Sequence, residues 1–243
     1  MTRTRPTAAA LTIGDEILSG RTRDANTHHL AESLTAHGID LREARFVGDE
    51  ADAIEAAVIA LSDGHDHVFT SGGIGPTHDD VTAECVARAL GAPLSVRADA
   101  RAALEAHYGP RGIEINEARL RMARVPEGAV LIDNPVSGAP GFSIGKVHVL
   151  AGVPAIFQAM LASLLPRLTG GPPLLSRSLR VERGEGDVAP ALSALAAERP
   201  RIAFGSYPAQ DAAGRASVSV VARGTDPDAL DDALDELSRR IGG

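Results

Sequence analysis

The segment of this 243-residue chain best equipped for chemistry is Thr70-Ser-Gly-Gly-Ile-Gly-Pro-Thr-His-Asp-Asp-Val-Thr82. A short apolar run leads into Gly72, Gly73 and Gly75, and two adjacent carboxylates, Asp79 and Asp80, follow. Glycines let successive backbone N–H groups come close to an anion. A helix predicted to begin near Asp79 adds unpaired N–H groups and a positive dipole end. Together these features suit a phosphate or pyrophosphate. The segment is not a Walker A loop, because no Lys-Ser/Thr follows the glycines, and it is not G-x-G-x-x-G. The plain alternative is a strand-to-helix turn with Asp79 as its N-cap. Adjacent carboxylates repel a bare phosphate, so the pattern predicts a bridging divalent metal, Mg²⁺, Mn²⁺ or Co²⁺. Asp15 and Glu16 form a second acidic pair just after the first predicted strand. With Asp79 they are the predicted metal ligands, although Asp15 can equally serve as a turn residue. Asp49 follows the second strand, where it either joins the site or caps the next helix.

The elements that must position these groups alternate. Ala8–Ile13, Leu41–Val47 and His67–Ser71 read as strands. Helices are predicted from about Asp24 to His37, from Asp49 to Leu61 and from Asp79 to Leu90, with Gly38 stopping the first. Residues 98 to 124 read as helical but broken at Gly109-Pro110. Ala129–Ile132 and Phe142–Leu150 read as further strands around the stiff loop Asn134-Pro-Val-Ser-Gly-Ala-Pro-Gly141. A helix with Pro154 in its first turn runs to about Leu168. Such alternation predicts right-handed βαβ units and a mostly parallel sheet, in which the ends of the first and third strands share one ligand-binding edge. Thr169-Gly-Gly-Pro-Pro173 reads as a boundary. The expected organisation is an α/β domain over 1–170 and a small α+β domain of order β-α-β-β-α over 171–243.

Composition removes several function classes. Hydrophobic residues make up 44% and charged residues 23%, as in ordinary globular chains. No run approaches the roughly 18 apolar residues of a membrane span, and Met1–Pro6 leads into no signal-peptide core. One cysteine, Cys85, rules out a disulfide framework and any cysteine-cluster zinc site. These features fit a cytoplasmic chain. All but one of the 24 basic residues are arginine, the exception being Lys146, and the net charge is −8. With 3% aromatics and no Trp, platforms for stacking several bases are hard to build. Nucleic acid is therefore a poor partner, whereas a small phosphorylated ligand remains compatible.

Gly14-Asp-Glu-Ile-Leu-Ser-Gly20 with Asn26, followed by Ser71–Thr82, resembles the molybdopterin-binding domain family, which includes the MogA, MoaB and MoeA proteins. Asn134–Phe142 and Leu150-Ala-Gly-Val-Pro154 narrow the resemblance to the N-terminal domain of competence/damage-inducible protein A (CinA). The likeness spans about residues 8 to 168. It implies a three-layer α/β/α domain of the molybdopterin-binding type. The implied ligand is either a pterin phosphate, molybdopterin or its adenylated form, or an ADP-ribose-like nucleotide hydrolysed with a divalent metal. Carried over by motif, Ser71, Gly72, Gly73, Gly75 and Thr77 form the ligand loop, and Asn134, Gly138, Gly141 and Gly152 line the opposite wall. The family aspartates fall on Asp80 and Asp49, the implied catalytic residues. Relatives form dimers or trimers, which implies a homo-oligomer here. Ala155-Ile156 stands where many CinA chains carry a charged pair. The separate C-terminal amidase domain is not expected, so nicotinamide-nucleotide deamidation is not inherited.

The second domain resembles the small domain that follows in CinA chains. Its order invites comparison with KH modules, but it carries eleven acidic and nine basic residues, and Arg183-Gly-Glu-Gly186 is not a GXXG clamp. A structural or oligomerisation role is expected for it. His28 and His29 are adjacent on a helix and point apart, His78 is a turn histidine within the loop motif, and Cys85 reads as a buried inert thiol.

Overall fold

A computed structural model of the chain describes residues 5–210 and 216–242, so most of the Met1–Pro6 segment lies outside the described residues. The chain divides into two compact units, Met1–Gly171 and Pro172–Gly243.

The first unit opens with β1 (Thr7–Ile13), the single turn α1 (Asp15–Leu18), α2 (Asn26–His37), β2 (Asp40–Val47), α3 (Ala51–Gly64) and β3 (His67–Ser71). Next come α4 (Thr82–Ala89), β4 (Leu94–Val96), α5 (Ala98–Tyr108), a 3₁₀ turn at Gly109–Arg111, α6 (Glu117–Arg121), β5 (Arg124–Pro126) and β6 (Val130–Ile132). The hairpin β7 (Gly141–Ile144) and β8 (Val147–Leu150), then α7 (Pro154–Leu164), complete it. The main sheet runs β2-β1-β3-β8-β7-β6. Strands β2, β1, β3 and β8 pair in parallel, and β7 is antiparallel to both its neighbours.

Strand β1 shows why the domain has three layers. Its side chains alternate between faces, and both faces are buried. Ala9, Leu11 and Ile13 join a core with Ile54 and Val58 of α3, Val86 of α4 and Leu104 of α5. Ala8 and Ala10 join the other core with Leu30 and Leu34 of α2 and Phe157 and Met160 of α7. Small alanines on the central strand let helices approach closely on each side. Because β2 and β3 lie on opposite sides of β1, the chain reverses direction across the sheet there. The crevice beyond the C-terminal ends of β1 and β3 is where such sheets bind ligands.

Several helix starts differ from the sequence pattern. Helix α4 begins at Thr82 rather than near Asp79. The carboxylate of Asp80 folds back onto Thr77, and Thr82 bonds back to the glycines, its N–H to Gly73 O (3.0 Å) and its hydroxyl to Gly72 O (2.9 Å). Residues 76–81 therefore form a turn, and the helix dipole does not begin at Asp79. Likewise α3 begins at Ala51, and Asp49 does not cap it. The β4–β5 ribbon was hidden by short, partly exposed strands. Helix α2 does stop at Gly38, which takes the left-handed φ of 81°.

The second unit holds β9 (Leu175–Val181), α8 (Glu185–Glu198), β10 (Ala203–Gln210), β11 (Ala216–Gly224) and α9 (Pro227–Gly242). Its antiparallel sheet runs β10-β11-β9. Val218, Val220 and Ala222 of β11 pack with Leu195 of α8 and Leu230, Leu234 and Leu237 of α9. Among the described residues, no helix is long and apolar enough to cross a membrane.

Candidate functional site

A cleft of about 670 Å³ opens at the C-terminal ends of β1, β3 and β8. Its walls include Gly72, Gly73, Ile74 and Gly75 after β3, Ala151 and Gly152 after β8, and the carboxylates Glu16, Asp49, Asp79 and Asp80.

The glycine loop is shaped by its own contacts. Gly72 has φ 108°, and a Cβ there would sit 2.2 Å from Ile13 O. Gly73 has φ 68°, and its Cβ would meet Thr82 Oγ1 at 2.1 Å. A side chain at Gly75 would displace Asp80, whose Oδ2 lies 2.7 Å from that Cβ position. Gly72 N–H is spent on Leu150 O (3.2 Å). Among the described residues, the N–H groups of Gly73, Ile74 and Gly75 have no hydrogen-bond partner. Three consecutive unpaired amides on a cleft wall are a place where an anion can gain hydrogen bonds.

Asp80 is fixed from within the loop. Its Oδ2 accepts the Thr77 N–H (2.8 Å) and the Thr77 hydroxyl (2.5 Å). Thr77 thus serves Asp80 and does not line the cleft. Asp49 Oδ2 accepts the Asp15 N–H (3.1 Å), closing the start of α1. Burial pushes the Asp49 carboxyl up from its ordinary value. The Asp15 N–H opposes that shift, and the charges of Asp15, Glu16 and Asp79 add to it. Four carboxylates thus feel one another across this corner.

The other expected residues separate. The Asp15 side chain is not among the cleft walls. Among the described residues, no group of three or more His, Cys, Asp or Glu is assembled to hold a metal. Asn134 lines the cleft, but its side chain is consumed by its own loop. Its Nδ2 donates to Ser137 Oγ and Ala139 O (both 2.7 Å), and its Oδ1 accepts from Val136 and Ser137 N–H. Gly138 is needed for its φ of 73° and its packing on His107. Gly141 packs within β7 against Val149 O. Ser71 lies in a smaller adjoining recess. His78 is exposed, and Cys85 is buried with its thiol pushed up by burial.

Two residues on the far wall escaped the sequence reading. Tyr108 ends α5, and Arg119 in α6 places its guanidinium 5.5 Å from the Tyr108 ring centroid while Nη1 donates to Glu114 O (3.1 Å). They are the one aromatic and the one basic side chain among the cleft residues. The only available signal was rarity, since the chain holds two tyrosines.

A family model for "Probable molybdopterin binding domain" matches residues 9–170, and one for "FAD synthase, middle domain" matches residues 173–243. A protein of Pyrobaculum calidifontis is 38% identical over 214 residues, covering 84% of this chain and 81% of that protein. A CinA-like protein of Desulfosudis oleivorans is 37% identical over 66% of this chain and 40% of its own length. The crystal structure of the protein CinA of Thermoplasma acidophilum, whose function is given as unknown, superposes with a TM-score of 0.61 at 37% identity. That match covers 66% of this chain and 98% of the other. The loop geometry, the sheet order and these likenesses together show that the chain belongs to the molybdopterin-binding domain family, on its CinA-like side.

Proposed function

We propose that the cleft binds the diphosphate of an ADP-ribose-like nucleotide and hydrolyses it with a divalent metal. The observation that carries this reading is the run of N–H groups at Gly73–Gly75, unpaired among the described residues, in a segment that lines the cleft together with Glu16, Asp49, Asp79 and Asp80. The amides bind phosphate oxygens. Arg119 and Tyr108 face the remainder of the ligand with a planar cation and a ring. Asp80, held through one oxygen by Thr77, keeps its other oxygen for orienting water, and Asp49 is the alternative group for that task.

The acids fit a metal in a limited way. Mg²⁺ is commonly held by one or two carboxylates together with substrate phosphates and water, and Glu16, Asp49, Asp79 and Asp80 provide such carboxylates. A bound divalent ion would supply charge neutralisation at the phosphate and a more acidic water. The chain offers no preassembled three-acid cage among its described residues, so the bound nucleotide completes the ligand set.

The experiment is incubation of the pure chain with ADP-ribose, FAD and NAD under Mg²⁺, Mn²⁺ or Co²⁺. FAD belongs in the set because the second domain matches the FAD synthase model. Hydrolysis at the diphosphate supports the reading, giving AMP and ribose 5-phosphate from ADP-ribose. A folded sample without turnover of any of them removes it.

A second reading is favoured by the family description and by the lack of that cage. The same amides would hold the phosphate of molybdopterin, or of its adenylated form, without turnover. Pterin phosphate binding in a chain that hydrolyses none of the nucleotides selects it. A closed dimer or trimer is also proposed, since such homo-oligomers are common, and light scattering on the eluted protein measures it.

A further inference from the structure

Asn26, the first residue of α2, is 5% exposed. Its Nδ2 donates to Ser71 Oγ (2.8 Å) and to Gly152 O (2.7 Å). A main-chain oxygen only accepts, so the Gly152 bond fixes which end of the amide faces it. The other end, Asn26 Oδ1, is buried with no hydrogen-bond partner. Ser71 is 6% exposed, and its oxygen accepts from Asn26. Its own O–H has no acceptor among the described residues. Two adjacent buried groups thus leave one acceptor and one donor unused, where buried polar atoms are normally paired.

Both residues line a recess of about 50 Å³, room for a water-sized group or two. Glu16, Thr22 and Gly152 line this recess and the large cleft alike, so the two adjoin. The recess is not an anion site. The N–H groups at the start of α2, those of Asn26 and Thr27, already donate to Asp24, and Glu16 and Asp24 stand in its wall. A phosphate would use only the Ser71 donor and would face those acids. An ammonium has no acceptor to offer and would leave the Ser71 O–H unpaired. A hydroxyl donates one hydrogen bond and accepts others, which matches the unused pair.

We propose that Asn26 and Ser71 together read a ribose 2- or 3-hydroxyl of the ligand whose diphosphate sits on Gly73–Gly75. This rests on the nucleotide reading of the cleft and adds a selectivity to it: ribosyl ligands are preferred over their deoxy counterparts.

The test is calorimetric binding to the full chain, with Mn²⁺ present, of ADP-ribose carrying a methylene in place of its bridging phosphate oxygen, so that it is not hydrolysed, and of the four monodeoxy forms of that compound, lacking the 2- or 3-hydroxyl of either ribose. In the wild-type chain one analogue is expected to bind roughly tenfold or more weakly than the parent, because a site built for a hydroxyl is left unpaired without it. In Ser71→Ala, which keeps the Asn26–Gly152 bond, that difference is expected to shrink to within about twofold, and the thermal midpoint reports that the fold persists. Asn26→Asp is the second variant, expected to reduce the same difference. Equal binding of all four analogues, with water filling the recess, overturns the proposal, and so does a hydroxyl preference that survives undiminished in Ser71→Ala. Turnover of ADP-ribose with a flat analogue series defeats this inference alone. A chain that neither binds nor hydrolyses ADP-ribose defeats the nucleotide reading with it.

Discussion

Thr77 holds Asp80 twice, through its N–H at 2.8 Å and its hydroxyl at 2.5 Å, both to the same carboxylate oxygen. The turn so formed precedes α4, which starts at Thr82, and the second Asp80 oxygen has no hydrogen-bond partner among the described residues. Removing the hydroxyl should leave the substrate site largely intact and loosen the acid. Thr77→Val is therefore expected to lower kcat about 10- to 100-fold, the usual cost of losing an orienting partner. KM should change little, and Thr77→Ser should restore the rate. Steady-state kinetics with ADP-ribose read the split. A KM effect alone would place Thr77 on the ligand instead.

Gly73→Ala tests the loop itself. The residue has φ 68°, and the new Cβ would lie 2.1 Å from Thr82 Oγ1, a buried hydroxyl engaged with Gly72 O. Backbone strain of this kind costs on the order of 1–3 kcal/mol, and the neighbouring amides would be turned. A lower thermal midpoint together with lost nucleotide binding is expected. Gly20→Ala is the control for φ alone, since Gly20 is also at positive φ (73°) and meets nothing within 4 Å.

Arg119→Ala removes the cation from the cleft. Its side chain makes one hydrogen bond, to Glu114 O, and stacks over Tyr108, so the fold should tolerate the change. The Kd for ADP-ribose is expected to rise about tenfold, the scale of one charge-assisted hydrogen bond. Arg119→Lys should recover only part of it, because an ammonium lacks the planar stacking face. Unchanged affinity would place the ligand away from this wall.

These three sites differ in how legible they were. The position of the glycine loop after β3 could be read because it is local: the strand, the glycines and the following acids are contiguous in the chain. The sheet was legible through alternation, and β3 falls on His67–Ser71 as its apolar run indicates. Asn134 does line the cleft, but sequence does not reveal that its side chain makes four hydrogen bonds within its own loop. For Asp49 the sequence leaves two roles open, a site acid or a cap for α3; the carboxylate does not cap the helix but reaches across 34 positions to Asp15 N–H, a contact that no local pattern encodes. Arg119 and Tyr108 meet the cleft through tertiary folding of the segment after α5, and no local pattern encodes that.

A pH effect on stability follows from the buried His148 and its half-buried neighbour His67 on the α2–α7 side of the sheet. His148 Nε2 lies 3.1 Å from His67 Nδ1, and its Nδ1 lies 2.8 Å from Ser143 Oγ. Burial, then the charges of His67 and Arg167, lower the His148 pKa from 6.5 to about 3. His67 is also lowered, chiefly by burial. The unfolded chain thus takes up these protons at a higher pH than the folded one. Stability is full above about pH 6.5 and is lost as pH falls from there toward 3. For one proton the slope reaches about 1.4 kcal/mol per pH unit. Urea unfolding at pH 7.5 and pH 5 should show a lower midpoint in acid, and His148→Gln should flatten the difference. A midpoint unchanged between those values in the wild-type chain would contradict a buried, neutral His148.

The central claim is that main-chain amides of Gly73, Ile74 and Gly75 receive the diphosphate. The most direct measurement is a crystal structure of the chain with Mn²⁺ and an ADP-ribose analogue whose bridging phosphate oxygen is replaced by a methylene. The account predicts phosphate oxygens within about 2.7–3.2 Å of those N–H groups, with anomalous Mn²⁺ density between the phosphates and at least one of Glu16, Asp49, Asp79 and Asp80. Ligand density elsewhere on the chain, or phosphates in the cleft that leave the three amides unengaged, would contradict it.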